Sequence, residues 1–305
     1  MPNYCILALD GGGIRGVYTA VLLQRLAKHV PGFLNRADLI TGTSTGGILA
    51  LALAKGMDAD ELVALYQDTG AKIFSRSLLR EVADLGELIG AKYNNVNLQE
   101  VLQEKFGNLT LDDLLPRHVL IPSFDLDSPE TDKRPRMWKP KFFHNFEGSQ
   151  SDGKERVVDV AMRTSAAPTY FPVYQGFVDG GVVANNPAMA GLAQALDNGT
   201  ANQNLADVRL ISIGTGLSPA FISGDSHNWG IAQWAHSLLN MMIGGMMGVA
   251  DYECARLLRE KYFRLAPILP APIDLDAVDQ VSNLIADANK VDLTSSVNWI
   301  KQNFV

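Results

Sequence analysis

Apolar residues in this chain fall into two alternating patterns: short unbroken runs, and longer stretches in which they return every third or fourth position. Tyr4-Cys5-Ile6-Leu7-Ala8-Leu9 is unbroken and reads as a parallel strand buried on both faces. Val17 to Leu26 then has helical spacing. A second short run, Leu39-Ile40-Thr41, is followed by the uninterrupted helix former Ile48 to Ala54. Asp58-Ala59-Asp60-Glu61 opens another helix with a capping aspartate and acids in its first turn. Leu98 to Phe106 predicts a helix that Gly107 ends. His118 to Leu126 predicts a strand whose Pro122 suits an edge or a strand end. Val157 onward predicts a helix running into a small-residue bend. Gln175 to Val178 and Val208 to Ile213 predict strands, with a helix starting near Pro187 between them. Leu257 to Leu265 reads as a helix passing into an edge strand, and Asp276 to Val291 as a closing amphipathic helix. Strands alternating with helices make this an α/β chain.

Three stretches are less regular. Phe74 to about Asn97 suggests an amphipathic helix broken at Gly86 and Gly90, either bordering a cleft or, as we prefer, packing on the surface. Asp127 to Lys141 is rich in charge and proline and reads as an exposed loop, after which Trp138, Phe142, Phe143, His144 and Phe146 fold back onto the body. Ile231 to Ala250 is apolar and methionine-rich. Its length approaches a membrane span, but Gln233, His236 and Asn240 interrupt it and no basic flank anchors it. It is expected as a buried core helix; the alternative is a methionine surface adaptable to varied acyl chains.

The turns carry the chemistry. The second strand runs into Gly42-Thr43-Ser44-Thr45-Gly46 and then straight into a helix. A serine on such a turn has its hydroxyl lifted clear of the sheet, and the turn is tight enough that neighbouring side chains must be absent. Ser44 would also sit at the positive end of the helix dipole. A phosphate-binding loop would instead need Gly-Lys-Ser/Thr where Ile48 follows Gly46-Gly47.

The first strand ends in Asp10-Gly11-Gly12-Gly13-Ile14-Arg15-Gly16. Gly11, Gly13 and Gly16 satisfy the dinucleotide spacing, so a nucleotide-binding fold is a rival reading. That fold wants an acid closing the second strand, where Thr41-Gly42 stands. The other use of such a loop is an oxyanion hole built from backbone N–H groups, with Arg15 adding charge or bracing it. Asp179, followed by Gly180-Gly181, is either an ordinary turn acid or the partner of Ser44. A serine–acid–histidine order would require His227 or His236, the only histidines after Asp179.

A net charge of −7 argues against nucleic-acid partners. Any membrane-surface contact would be local, transient and apolar. Cys5 and Cys254 fit neither a disulfide framework nor a metal site. No metal or cofactor is expected, and no acidic loop of the calcium-binding kind is seen. Met1 leads into the first strand without a basic segment and long apolar core, so a cytoplasmic location is expected. No repeat, low-complexity tract or linker divides the chain. A single domain over residues 1–305 is expected, with a core region at 4–216 and C-terminal helical and edge elements at 217–305.

Asp10 to Gly16, Gly42 to Gly47 and Asp179-Gly180-Gly181 resemble, in order, the three signature blocks of the patatin-like phospholipases. Ser165 to Pro172 and Asn185-Asn186-Pro187 are also similar to that family. The resemblance implies a three-layer α/β sandwich with a central, mostly parallel sheet between helices. It implies a lipid acyl hydrolase, of phospholipase A or lysophospholipase type, working with a Ser-Asp dyad and no histidine. Ser44 falls on its nucleophile, Asp179 on its base, and Gly11, Gly12, Gly13 and Arg15 on its oxyanion block. The implied partner is a phospholipid or lysophospholipid. Some members of the family stay inactive until a signal or host factor binds, so a ligand-gated binding module is a second reading.

Overall fold

The computed structural model describes residues 3–74, 90–131, 134–222 and 228–304, and leaves undescribed the side chains of residues 231–233 and 235–236. In chain order, strand β1 is Tyr4–Leu9 and helix α1 Gly16–His29. Strand β2 (Leu39–Gly42), helix α2 (Thr45–Lys55) and helix α3 (Ala59–Ile73) follow. Helix α4 is Val96–Phe106 and strands β3 and β4 are His118–Ser128 and Met137–His144. Helix α5 (Val157–Thr164), strand β5 (Phe177–Asp179), helix α6 (Gly181–Ala184) and helix α7 (Ala188–Leu196) complete the middle of the chain. Strand β6 (Val208–Ile213), helix α8 (Ile231–Leu258), strand β7 (Tyr262–Leu265) and helices α9 (Val281–Lys290) and α10 (Thr294–Asn303) close it.

The sheet has seven strands in the order β4-β3-β2-β1-β6-β7, with β5 paired to β3. β1 is central because it is the most apolar strand: Cys5 to Leu9 are all fully buried. It pairs in parallel with β2 and β6, and β2 with β3 and β6 with β7 are parallel too. Two apolar clusters lie on its two faces. Leu7 and Leu9 point into one with α1 and α2, and Ile6 and Ala8 into the other with α7 and α8. Two helical layers around a mostly parallel sheet are the α/β sandwich expected. α2 is buried from Thr45 to Ala54, which is why its sequence has no polar face.

Several expectations change. Part of the predicted loop after Asp127 is strand β4, antiparallel to β3; the charged side chains there are compatible with a half-exposed edge. Pro122 is inside the sheet. β2 stops pairing with β3 at Leu120 and β5 begins at Ser123, so Pro122 falls in the gap where no ladder donor is required on that side. The broken helix expected over Phe74–Asn97 lies mostly in residues 75–89, outside the described residues. α8 is not a core helix throughout. Ala250, Cys254 and Leu258 form a buried stripe, whereas Leu238, Met241, Met242, Val249 and Tyr252 are exposed. No helix among the described residues is long and apolar enough to cross a membrane. A last helix, α10, was not read from the sequence. It packs beside α1, and Arg25 donates to the carbonyls of Ala288 and Val291 at the end of α9.

Candidate active site

β2 delivers Ser44 to the carboxyl end of the sheet, where open parallel sheets place ligands. The turn closes because two side chains are missing. A Cβ on Gly42 would lie 2.0 Å from the Gly46 carbonyl oxygen, and one on Gly46 2.3 Å from that of Leu9. Ser44 has φ 54° and ψ −125°, a conformation that costs a non-glycine residue about 1–3 kcal/mol. Its surroundings hold it there. The Ser44 N–H donates to Thr164 Oγ1 at 3.0 Å, and the Thr164 hydroxyl donates to the Pro122 carbonyl. The Ser44 carbonyl accepts from Ile48 at 3.0 Å as α2 begins.

Asp179 reaches Ser44 through the sheet. β2 pairs with the start of β3 in parallel, and β5 pairs with residues 123–125 of β3 antiparallel. β4 occupies the other side of β3 over residues 123–125, so β2 and β5 lie on the same flank and run toward each other. Their carboxyl ends meet. The Asp179 carboxylate accepts from the Gly181 N–H at 2.7 Å and lies near enough to the Ser44 hydroxyl to feel it. Burial pushes its carboxyl up to about 6, against the lowering effect of the Ser44 hydroxyl and the Gly181 N–H.

The glycine loop leaves β1 beside this pair. Asp10 is fully buried and its carboxylate takes both guanidinium nitrogens of Arg264, one at 2.8 Å. That commitment makes it a strut. The Gly11 N–H, expected among the oxyanion donors, donates to the Asn185 carbonyl at 3.0 Å. Ile14 and Arg15 donate to Leu275 and Gly12. Among the described residues the N–H groups of Gly12 and Gly13 have no acceptor, so these two remain from the expected set. Arg15 lies half-buried with Nε donating to the Gly12 carbonyl at 3.4 Å; it braces the loop. Gly13, at φ +58°, is pressed so closely on Leu275 that a Cβ would sit 2.2 Å from its carbonyl oxygen.

Ser44, Asp179 and Gly11 to Arg15 all line one cavity of about 350 Å³. Its remaining wall is largely apolar, with Ile48, Phe74, Leu98, Phe171, Ile243 and Met247 among the residues that line it. His118 and His144 pack around Phe146 and do not line the cavity. His227 lies outside the described residues, and the side chain of His236 is not described.

Residues 7–192 match the family model of the patatin-like phospholipases. The chain belongs to that family. It is 37% identical to a cGAMP-activated phospholipase of Pseudomonas aeruginosa, over 92% of this chain and 84% of that protein. It is 32% identical to the putative sporulation hydrolase CotR of Bacillus subtilis, over 100% of this chain and 99% of that protein. Among solved structures it is similar to VipD from Legionella pneumophila at a TM-score of 0.42 and 14% identity, over 94% of this chain and 67% of that one. Membership of the patatin-like phospholipases makes the chain a hydrolase of lipids.

The sequence reading gave no role to Thr164, Asn185, Thr215 or Arg264, which hold the serine turn and the glycine loop in place. All four lie in or near blocks visible in the sequence. Their partners are far along the chain, so no local spacing signals them.

Proposed function

We propose that this patatin-like phospholipase cleaves carboxylic esters of phospholipids or lysophospholipids through an acyl-serine on a Ser44–Asp179 dyad. The observation that carries the proposal is that Ser44 on its strained turn and the buried Asp179 carboxyl line one largely apolar cavity together with Gly12 and Gly13, whose N–H groups have no acceptor among the described residues. Asp179 takes the Ser44 proton as Oγ bonds to the ester carbonyl carbon, and the Gly12 and Gly13 N–H groups hold the resulting oxyanion. Collapse breaks the bond to the alcohol, which leaves with the proton from Asp179. Water then attacks the acyl-serine and gives a proton to Asp179. The fatty acid departs as Ser44 recovers its hydrogen.

A carboxyl near 6 suits this work. It is ionised at neutral pH yet more basic than an ordinary aspartate. The apolar cavity wall suits acyl chains. The exposed Met241 and Met242, on the same helix as the cavity-lining Ile243 and Met247, suit transient contact with a lipid surface. A cytoplasmic location belongs to the same reading and agrees with two buried free cysteines.

A phospholipid and lysophospholipid panel, read by mass spectrometry for wild type and Ser44→Ala, tests the proposal. Wild type is expected to release fatty acid, Ser44→Ala to lose at least about 10³-fold in rate, and a fluorophosphonate to label Ser44. Undiminished hydrolysis by Ser44→Ala rejects it. Because a 37%-identical relative is cGAMP-activated, the panel is run with and without cGAMP. Hydrolysis only in its presence assigns ligand gating to this chain as well.

A further inference from the structure

The direction of an amide is set by the carbonyl at the other end of the same peptide. In a planar trans peptide, the C=O of one residue and the N–H of the next point opposite ways. The Gly11 carbonyl accepts from Thr215 Oγ1 at 3.1 Å and from Asn185 Nδ2 at 3.3 Å. The Gly11 N–H meanwhile donates to the Asn185 carbonyl. Gly11 is therefore gripped at both its polar atoms, and the Gly12 N–H is turned away from Thr215 and Asn185. Thr215 also closes the space beside Gly12, where a Cβ would lie 2.2 Å from its Oγ1.

The register of the sheet supplies Thr215. β6 pairs with β1 so that Ile213 lies opposite Leu9, and the residues that follow each strand come out side by side. Asn185 arrives by another route, at the end of α6, which starts two residues after Asp179. Its side-chain amide also donates to Met247 Sδ at 2.9 Å, which fixes its rotamer from the α8 side.

We propose that Thr215 and Asn185 are positioning residues of the oxyanion site. They lock the Gly11–Gly12 peptide so that the Gly12 N–H faces the developing oxyanion before substrate arrives. The proposal rests on the reading of Ser44 as an acylating nucleophile. Among the described residues, the side-chain hydrogen bonds of Thr215 and Asn185 go to the Gly11 carbonyl and Met247, and none goes to Ser44 or Asp179. Their effect passes through one peptide plane, whose reversal would present a carbonyl oxygen to the oxyanion and turn attraction into repulsion. Preorganisation of this kind matters because a donor that must first reorient gives up part of its advantage in the transition state.

Thr215→Val keeps the shape and removes the donor, and Thr215→Ser restores it. The valine variant is expected to lose about tenfold in kcat with KM within about twofold, less than the 10²–10³ of deleting a donor outright. Affinity for a trifluoromethyl ketone, which forms an oxyanion on Ser44, should fall by the same factor. The serine variant should recover most of both, and thermal melts of all three proteins report folding separately. Equal kcat and ketone affinity in wild type and Thr215→Val overturns the proposal, as does a serine variant no better than valine. If wild type hydrolyses no ester either with or without cGAMP, or Ser44→Ala still does, the acyl-serine reading falls and this proposal with it. An active wild type, an inert Ser44→Ala and an unaffected Thr215→Val remove this proposal alone.

Discussion

At the scale of single residues, the buried Asp179 carboxyl ties activity and stability to pH in opposite directions. A base must be ionised, so kcat/KM should rise as pH passes through about 6 and level off above it. For stability, the folded carboxyl holds a proton between the ordinary 3.8 and about 6 that the unfolded chain has released. The contribution of Asp179 is then fully present below about pH 4 and is lost as pH rises through about 6. Asp179→Asn keeps the acceptor for Gly181 and removes the buried charge. It should abolish turnover yet be more stable than wild type at pH 8, by at most about 3 kcal/mol, with the advantage gone by pH 4. Urea unfolding at both pH values measures this, and an advantage that does not change with pH counts against the assignment.

At the scale of elements, α3 turns Tyr66, Gly70 and Ile73 toward the cavity, residues four and three apart along one helical face. Glycine near the end of a helix is poor for helix stability, yet packing does not demand it here. Among the described residues, a Cβ on Gly70 would meet only the tip of Ile14, at 2.8 Å, and Ile14 lines the cavity too. The missing side chain leaves room that belongs to the cavity. Gly70→Leu should therefore lower kcat/KM for long-chain esters by about tenfold or more while short-chain esters are turned over nearly as well. A chain-length series of p-nitrophenyl esters decides; an equal loss at every length would mean that Gly70 serves the fold instead.

Over the whole molecule, charge and exposed surface separate. The chain carries a net −7, yet residues 231–250 of α8 contain no charged side chain and present Leu238, Met241 and Met242 to solvent. Gly244, Gly245 and Gly248 have open space where a Cβ would be, among the described residues. Contact with a lipid surface through this face should depend on apolar burial and not on anionic headgroups. Flotation of Ser44→Ala with phosphatidylcholine vesicles should persist at high salt and drop several-fold in Met241→Asp/Met242→Asp. Binding that vanishes with salt, or that ignores the two substitutions, excludes this face.

Much of the fold could be read along the chain because its signals are local. The continuous apolar run from Tyr4 and the mostly apolar run from Val208 read as buried strands, and Asp58 with Glu61 announced a capped helix that the structure closes with reciprocal hydrogen bonds. The serine turn, the acid and the glycine loop were legible for the same reason, since each needs particular residue types at fixed spacing. β4 was missed because an edge strand tolerates charge, and the exposure of α8 because hydrophobicity alone does not say which neighbour covers a face.

The sequence by itself determined which residues are candidates for the chemistry and which turns are sharp enough to present them, because sterics at glycine and the periodicity of burial act over a few residues. Only the tertiary structure decided which amides stay free and which acid faces the serine. Asp10 and Asp179 each precede glycines, yet Arg264 claims one while β3 brings the other to Ser44. Gly11 and Gly12 are neighbours, yet the Asn185 carbonyl takes the first amide and leaves the second. Those choices are made by hydrogen-bond partners from distant strands, whose positions depend on sheet order and register and not on any local pattern.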